Sequence, residues 1–316
     1  MTLPISIDPA VSSRGPDTSG PESVRKDTRL LLVSNDAMRA RRRPRAVLWL
    51  YLYQLLIAFV VAWPVSRALG NLFAGHPRGA SVLFDEGGWA LLALRHPYEQ
   101  GSPTIAGLLM AAVVGGALLG LIPLIALLVS ISHATPQLAA PRARHLAPYV
   151  VASFRPMAIL LVLATMLEIA LLLVATRVFS WVSDKTAPRW GDARADLFGA
   201  AVAALVLVLL MLAGVVHDLA RAALARFRTD TRGAIRYALT TLRRTPLRLM
   251  WSWAWRGTAG WLAVVVVGIF SARLGSGGLA LAMLVLLHQA AALARIMFRA
   301  SWLARALRAV DRHRSA

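Results

Sequence analysis

Six long apolar runs alternate with polar, arginine-rich segments along the chain. The run from Pro156 to Val182 is typical, because at 1.5 Å per residue it is long enough to cross a bilayer core of about 30 Å. The pattern predicts an all-α fold, a polytopic bundle of six transmembrane helices within a domain of residues 29–316. The predicted spans are 46–69, 103–131, 156–182, 197–217, 249–272 and 279–302, with the fifth starting near Leu249 or near Gly257.

Composition supports a membrane protein. Hydrophobic residues make up 58% of the chain and the mean hydropathy is +0.60, whereas soluble domains are about 45–50% apolar. The predicted exception is the segment 1–28, which is rich in Pro, Ser, Gly and Asp. It has too little apolar surface to offset the entropy of ordering, so we expect a disordered tail.

The basic charge follows the ends of the apolar runs. A net charge of +20 on a soluble domain would favour nucleic acid, but most of the 35 Lys and Arg residues lie in segments 1–46, 132–155, 218–256 and 295–316. Positive residues mark the cytoplasmic side of membrane proteins. We therefore predict cytoplasmic N- and C-termini and no nucleic-acid partner.

A basic amphipathic stretch covers residues 218–248, and such stretches lie on membrane surfaces. We expect its arginines, and those before the first span, to contact anionic lipid headgroups at about 1 kcal/mol each. The expected lipid-contacting residues are Arg41, Arg42, Arg43, Arg226, Arg228, Arg232, Arg236, Arg243 and Arg244.

A basic segment ending at a proline precedes each odd-numbered span: Arg43-Pro44, Arg155-Pro156 and Arg244-Thr245-Pro246. Proline suits the first turn of a helix and disfavours helix in the residue before it. The pattern indicates three repeats, each with a basic interfacial elbow helix and a transmembrane hairpin. Six unrelated spans are the alternative.

Small residues recur every four positions in the second span, with Gly107, Ala111 and Gly115 on one register and Gly116 and Gly120 on a neighbouring one. Small residues at this spacing let helix backbones approach closely. We expect the second span to be a central, tightly packed helix.

Two charged residues are predicted one-third to one-half of the way across their spans, Glu168 and Arg256. They lie at similar distances past their prolines, and isolated charges in a bilayer are costly, so one hypothesis pairs them within the bundle. The competing interpretation places Arg256 among tryptophans at the headgroup level, as a snorkelling residue.

Three further polar groups are candidates for chemistry. Gln54 lies in the first span, His288 lies in the last, and the pair His217-Asp218 ends the fourth. A histidine in a span can relay protons, but more often it hydrogen-bonds a neighbouring helix. Asp218 and Arg221 have the spacing of an ordinary i,i+3 pair, and no further ligand accompanies them, so we predict no metal and no cofactor.

Four motifs of known enzyme classes are absent from the sequence: the Walker loop, the dinucleotide fingerprint, Gly-x-Ser-x-Gly and His-Glu-x-x-His. The chain also has no cysteine, which excludes disulfides and thiolate nucleophiles. These observations favour a non-enzymatic protein.

The six spans with basic elbows, the loop LFDEGGWALLAL at 83–94 and the sequence VVHDLARAALARF at 215–227 resemble uncharacterised bacterial six-span membrane proteins. More distantly, they look like the membrane portion attached to some glycerophosphodiester phosphodiesterases, without any catalytic residue. The resemblance implies an integral protein of the bacterial inner membrane. The predicted function is a scaffold or accessory protein contacting lipid or membrane partners; the alternative is a small transporter or channel with a polar path near Glu168 and His288.

Overall fold

A computed structural model of the chain describes residues 31–72, 103–134, 142–185, 191–273 and 278–314. The predicted tail 1–28 and the loop 83–94 lie outside them. The seven α-helices in the described residues are α1 (Pro44–Leu72), α2 (Pro103–Ser132), α3 (Ala143–Lys185), α4 (Asp192–Phe227), α5 (Thr231–Arg244), α6 (Pro246–Arg273) and α7 (Gly278–Arg314).

Six of these helices are long and apolar enough to cross a membrane, and α5 is the exception. The predicted six-span, all-α bundle is therefore confirmed, and the chain is a multi-pass membrane protein. Its apolar segments form helices because only a helix satisfies every backbone hydrogen bond inside a bilayer without a partner strand. The fifth span begins at Pro246, close to the earlier of the two predicted starts.

The transmembrane helices pack as three consecutive hairpins. α1 packs against α2, α3 against α4, and α6 against α7, while contacts from α2 to α3 and from α4 to α7 join the pairs. Short connections favour the second and third pairings, because consecutive antiparallel helices joined by few residues lie side by side. The hairpin arrangement matches the predicted repeats in architecture.

The elbows differ between the second and third hairpins. α5 ends at Arg244, Thr245 follows it, and α6 begins at Pro246. The equivalent break is missing before the second hairpin, because α3 continues without interruption through Pro148 and Pro156. Transmembrane helices tolerate internal proline when neighbouring groups compensate the freed backbone, and the proline pattern alone does not reveal where this happens.

The hydrophobic core lies at one end of the bundle. Its fully buried side chains include Leu127 and Leu128 of α2, Leu219 of α4 and Leu303 of α7. The other halves of the helices expose apolar side chains, as at Val113, and this surface suits contact with lipid chains. We call the core end the basic end; it comprises residues 31–45, 132–134, 218–249 and 295–314.

The expected close packing of the small residues in α2 is wrong for most of them. A methyl group added at Gly107, Gly115 or Gly120 would meet nothing within 4 Å, and only Gly116 faces side chains of α1. The buried part of α2 instead consists of large residues between Leu121 and Ile131. Small residues permit close helix contact, but neighbouring helices decide whether it forms.

Candidate functional site

The outer surface of the basic end is formed by α5. Its first turn is capped by Asp230, whose carboxylate accepts a hydrogen bond from the Gly233 amide at 3.2 Å, which stabilises a helix start. One face packs on the bundle through Ala234, Ala238 and Leu242. The opposite face exposes the predicted lipid-contacting arginines Arg232, Arg236, Arg243 and Arg244. This arrangement is typical of an interfacial helix.

The segment before α1, residues 31–43, covers one side of the basic end. Strand β1 (Leu31–Leu32) pairs antiparallel with β2 (His133–Ala134). Two short 3-10 helices follow, Asn35–Ala37 and Ala40–Arg42. Between them the side chain of Met38 is fully buried in the core, so this segment is part of the packed domain.

Hydrogen bonds fix this segment to α7. The Asn35 side chain donates to the backbone carbonyl of Arg308 at 3.1 Å, and the Arg308 guanidinium donates to the carbonyl of Met38 at 2.7 Å. The segment before α1 and the last helix are therefore joined by reciprocal bonds.

Arg226 is a structural residue, which corrects its prediction as a lipid contact. Its side chain is only 7% exposed. Its Nε donates to the Asp311 carboxylate at 2.8 Å, and its Nη1 donates to the Ser132 carbonyl at 2.8 Å. Arg226 thus ties α4 to α7 and to the end of α2, because burying a guanidinium requires such partners. Arg41, Arg42 and Arg228 are exposed and Arg43 is half-buried.

Asp218 is the centre of a buried polar cluster. Arg299 binds its carboxylate in bidentate fashion, with both N–H···O distances at 2.5 Å. The indole N–H groups of Trp253 and Trp302 donate to Oδ2 at 3.1 and 2.9 Å, and Arg221 lies 3.7 Å from Oδ1. The pair expected with Arg221 is therefore the weakest part of a network that joins α4, α6 and α7.

His217 precedes Asp218 in the chain and is the histidine that a metal site in this cluster would use. The His217 Nε2 atom is buried and has no hydrogen-bond partner among the described residues. Within the described ranges, no three His, Asp or Glu side chains lie close enough together to hold a metal ion. The cluster joins helices through one carboxylate and its cationic and indole donors.

The structure does not join Glu168 to Arg256. Within the described residues Glu168 has no salt bridge, and its charge is only the smallest of the electrostatic influences on Arg221. Arg256 instead donates to the Ser252 carbonyl at 2.9 Å and to the hydroxyls of Ser252 and Ser301. The hypothesis of a neutralised pair is therefore wrong, because nearby hydroxyl and carbonyl oxygens accept the guanidinium hydrogens.

The other two predicted intramembrane groups lie at the bundle surface. His288 is exposed; its Nδ1 lies 2.8 Å from the carbonyl of Leu284 on its own helix, and its Nε2 lies 3.4 Å from the hydroxyl of Ser271 on α6. Gln54 is exposed and forms no hydrogen bond with another described residue. The residue after His288, Gln289, is partly buried, and its Oε1 accepts a 2.6 Å hydrogen bond from Tyr51 on α1. The structure does not bring Gln54, Glu168, Arg256 and His288 into one path.

A cavity of about 1020 Å³ lies between α1, α6 and α7 at the basic end, with the segment before α1 forming one wall. We call it the arginine cavity. Among the described residues that line it, one is acidic, Asp36, and seven are basic: Arg39, Arg41, Arg45, Arg248, Arg305, Arg308 and Arg312. Its apolar lining comprises Val47, Leu48, Leu249, Leu293 and Met297.

The arginines that line the arginine cavity repel one another. Arg305 is repelled electrostatically by Arg256 first, and then by Arg248, Arg308 and Arg312, the last two on its own helix. Arg256 lies behind one wall, since the Ser301 hydroxyl that accepts its hydrogen bond also lines the cavity. The cavity is therefore a concentrated positive site with an apolar end.

Comparisons with known proteins give no relative. No family model matches the chain, and no curated protein or solved structure matches it either. The resemblance to bacterial six-span membrane proteins stays a prediction, and the geometry of the basic end is the basis for assigning a function.

Proposed function

We propose that this protein is a non-enzymatic scaffold or accessory protein of the bacterial inner membrane, whose basic end lies at the cytoplasmic surface and gathers anionic lipid. The observation that supports it is α5, which packs one face on the bundle and exposes four arginines on the other. Anionic lipids of the cytoplasmic leaflet attract each such arginine by about 1 kcal/mol. Membrane-protein partners with acidic surfaces would meet the same charges.

Lipid analysis tests the proposal directly. The protein is extracted from membranes in polymer discs, and the ratio of anionic to zwitterionic lipid in the discs is compared with that of the whole membrane. We expect enrichment of anionic lipid around the native protein. In a variant with Arg232, Arg236, Arg243 and Arg244 changed to Gln, the enrichment is lost because the attraction of four charges is removed.

The matched control replaces the same four arginines with Lys, which keeps the charge and loses only the planar geometry. This variant retains the enrichment. Equal enrichment around the native protein and the Gln variant would reject the proposal.

Orientation requires a separate test. A fluorescent protein that folds only in the cytoplasm is fused after Ala316 or inserted between α3 and α4. We expect fluorescence from the first fusion and none from the second, because the basic segments favour the cytoplasmic side. Fluorescence from the second alone would reverse the orientation and remove the basis of the proposal.

A further inference from the structure

We propose that the arginine cavity binds one lipid whose headgroup carries two phosphate groups, with its hydrocarbon chains directed along α1 and α7 towards Leu48 and Met297. This site is separate from the exposed face of α5, because none of the four arginines of that face lines the cavity.

Charge is the first argument for two phosphates. Seven arginines line the cavity, and Asp36 is the single carboxylate among the described lining residues. Arg248 and Arg305 have no salt bridge to any described residue, and they repel each other. A ligand with one negative charge leaves most of this repulsion in place, whereas a headgroup with two phosphates reaches several guanidinium groups at once.

The lining of the cavity changes from apolar to basic along its length, as a bilayer changes from hydrocarbon to headgroup, and this is the second argument. Leu293 and Met297 lie within the sixth span, and Arg312 lies at its end. At 1.5 Å per helical residue, Leu293 and Arg312 are about 28 Å apart along α7. The lining thus changes from apolar to basic in the direction in which a lipid changes from chain to headgroup, and basic pockets between transmembrane helices bind polyanionic lipid headgroups.

Volume is the third argument. A cavity of about 1020 Å³ is at the upper end of the range of small-molecule sites, roughly 300–1,000 Å³. It exceeds what a free diphosphate ion needs, and Val47, Leu48 and Leu249 would have no role in binding such an ion. A headgroup together with the first part of its chains uses both the basic and the apolar lining.

Native mass spectrometry of the full chain in detergent tests the site. Tetraoleoyl cardiolipin supplies two phosphates on a lipid, dioleoyl phosphatidylglycerol supplies one, and inorganic diphosphate supplies two without a chain. We expect cardiolipin to saturate at one molecule per protein and to bind about tenfold more tightly than either of the other two.

Matched variants locate the binding. Arg248→Gln combined with Arg305→Gln removes two cavity charges and weakens cardiolipin binding roughly tenfold or more. Arg232→Gln combined with Arg236→Gln removes two charges from α5 and leaves this binding unchanged. Met297→Asn adds a polar group where the chain would lie, so it weakens cardiolipin binding and spares inorganic diphosphate. Unfolding midpoints equal to that of the native protein show that each variant is folded.

Several results would overturn the assignment. Equal losses in the cavity and α5 variants would mean diffuse surface attraction. Phosphatidylglycerol binding as tightly as cardiolipin would reject two phosphates, and inorganic diphosphate binding as tightly would reject a lipid. Because the lipid enrichment of the proposed function depends on α5, the cavity can fail while that function holds, and the reverse is equally visible.

Discussion

At the scale of single residues, the buried carboxylate of Asp218 connects three helices. Its side chain is 2% exposed, and removing a carboxylate from water is costly unless hydrogen bonds and opposite charges compensate. Arg299, Trp253 and Trp302 provide this compensation. The cluster makes the contacts of α4 with α6 and α7 specific.

Replacing Asp218 with Asn should therefore destabilise the protein strongly. The change leaves Arg221 and Arg299 without a counter-charge, and breaking a buried pair costs about 3–5 kcal/mol. Arg299→Lys keeps a cation but loses the bidentate geometry, so its loss should be smaller. The free energy of unfolding, measured by titrating SDS into mixed micelles, checks this; equal stability of the native protein and the Asn variant would contradict it.

Arg226 and Arg232 can be compared to test how burial changes the contribution of an arginine to stability. Arg226 is buried and bonded to Asp311 and Ser132, whereas Arg232 is exposed. Arg226→Gln should cost about 3 kcal/mol or more, because it leaves Asp311 and the Ser132 carbonyl with fewer partners. Arg232→Gln should change stability by less than about 0.5 kcal/mol. A similar loss from both substitutions, in the same titration, would contradict the structural role of Arg226.

His133 predicts a pH dependence of stability. Burial lowers the pKa of His133 from 6.5 to about 4, and the charges of Arg226 and Arg228 act in the same direction. Below about pH 6.5 the unfolded chain binds a proton at His133, whereas the folded chain binds it only below about pH 4. Stability therefore falls as the pH decreases from about 6.5 to 4, and it levels off below pH 4. Over this pH interval the free energy of unfolding decreases by at most about 3 kcal/mol. His133→Gln should flatten this dependence; an unchanged pH profile would contradict it.

At the scale of elements, Gly214 of α4 packs directly against Trp253 of α6. A methyl group added there would lie 2.9 Å from Cζ2 of Trp253, and Trp253 is held in place by its hydrogen bond to Asp218. The close contact therefore depends on the absence of a side chain, and the polar cluster depends on the close contact.

Gly214→Ala should destabilise the protein by about 1–3 kcal/mol, because overpacking forces Trp253 to move. Gly115→Ala is the matched control, since its methyl group meets nothing within 4 Å, and alanine favours helix over glycine. The control should be neutral or slightly stabilising. Thermal unfolding in detergent compares the two, and a loss at Gly115 equal to that at Gly214 would contradict the packing.

The elements themselves were largely predictable from the sequence. Hydropathy identifies all six spans, because length and apolarity are enough to define a transmembrane helix. The basic elbow before Pro246 was also predictable, whereas α3 continues through Pro156. The dipeptide Arg-Pro begins α1 at Pro44 but lies inside α3 at Pro156, so it does not determine whether a helix begins or continues.

The candidate site was less predictable, because an apolar helix carries no mark of which side faces lipid and which faces protein. The pattern placed arginines at the ends of the apolar runs, but Arg226 is buried and Arg248 and Arg305 line a cavity that no local motif reveals. A partial signal for the Asp218 cluster existed in Arg299 and Trp302, which lie three residues apart on one helix face.

At the scale of the whole molecule, the bundle depends on its last helix. Trp302 and Arg299 of α7 cover Asp218, and Asp311 holds Arg226. A chain ending at residue 277 should therefore be degraded rapidly in cells. Co-expressing residues 278–316 separately should restore its half-life, and the same fragment with Arg299→Glu should fail to do so. A stable chain without the fragment would contradict this dependence.

The distance along the chain between Asp218 and Arg299 also sets a minimum time before the two residues can meet during synthesis. They are 81 residues apart, so at about 5–20 residues per second a ribosome needs roughly 4–16 s to supply the arginine after the aspartate. During that interval the carboxylate has no cation from α7, and α4 can settle only after translation is almost complete. We therefore expect insertion of the first four spans to remain reversible, and slow codons before residue 299 to lengthen the time in which membrane proteases can remove the unfinished protein.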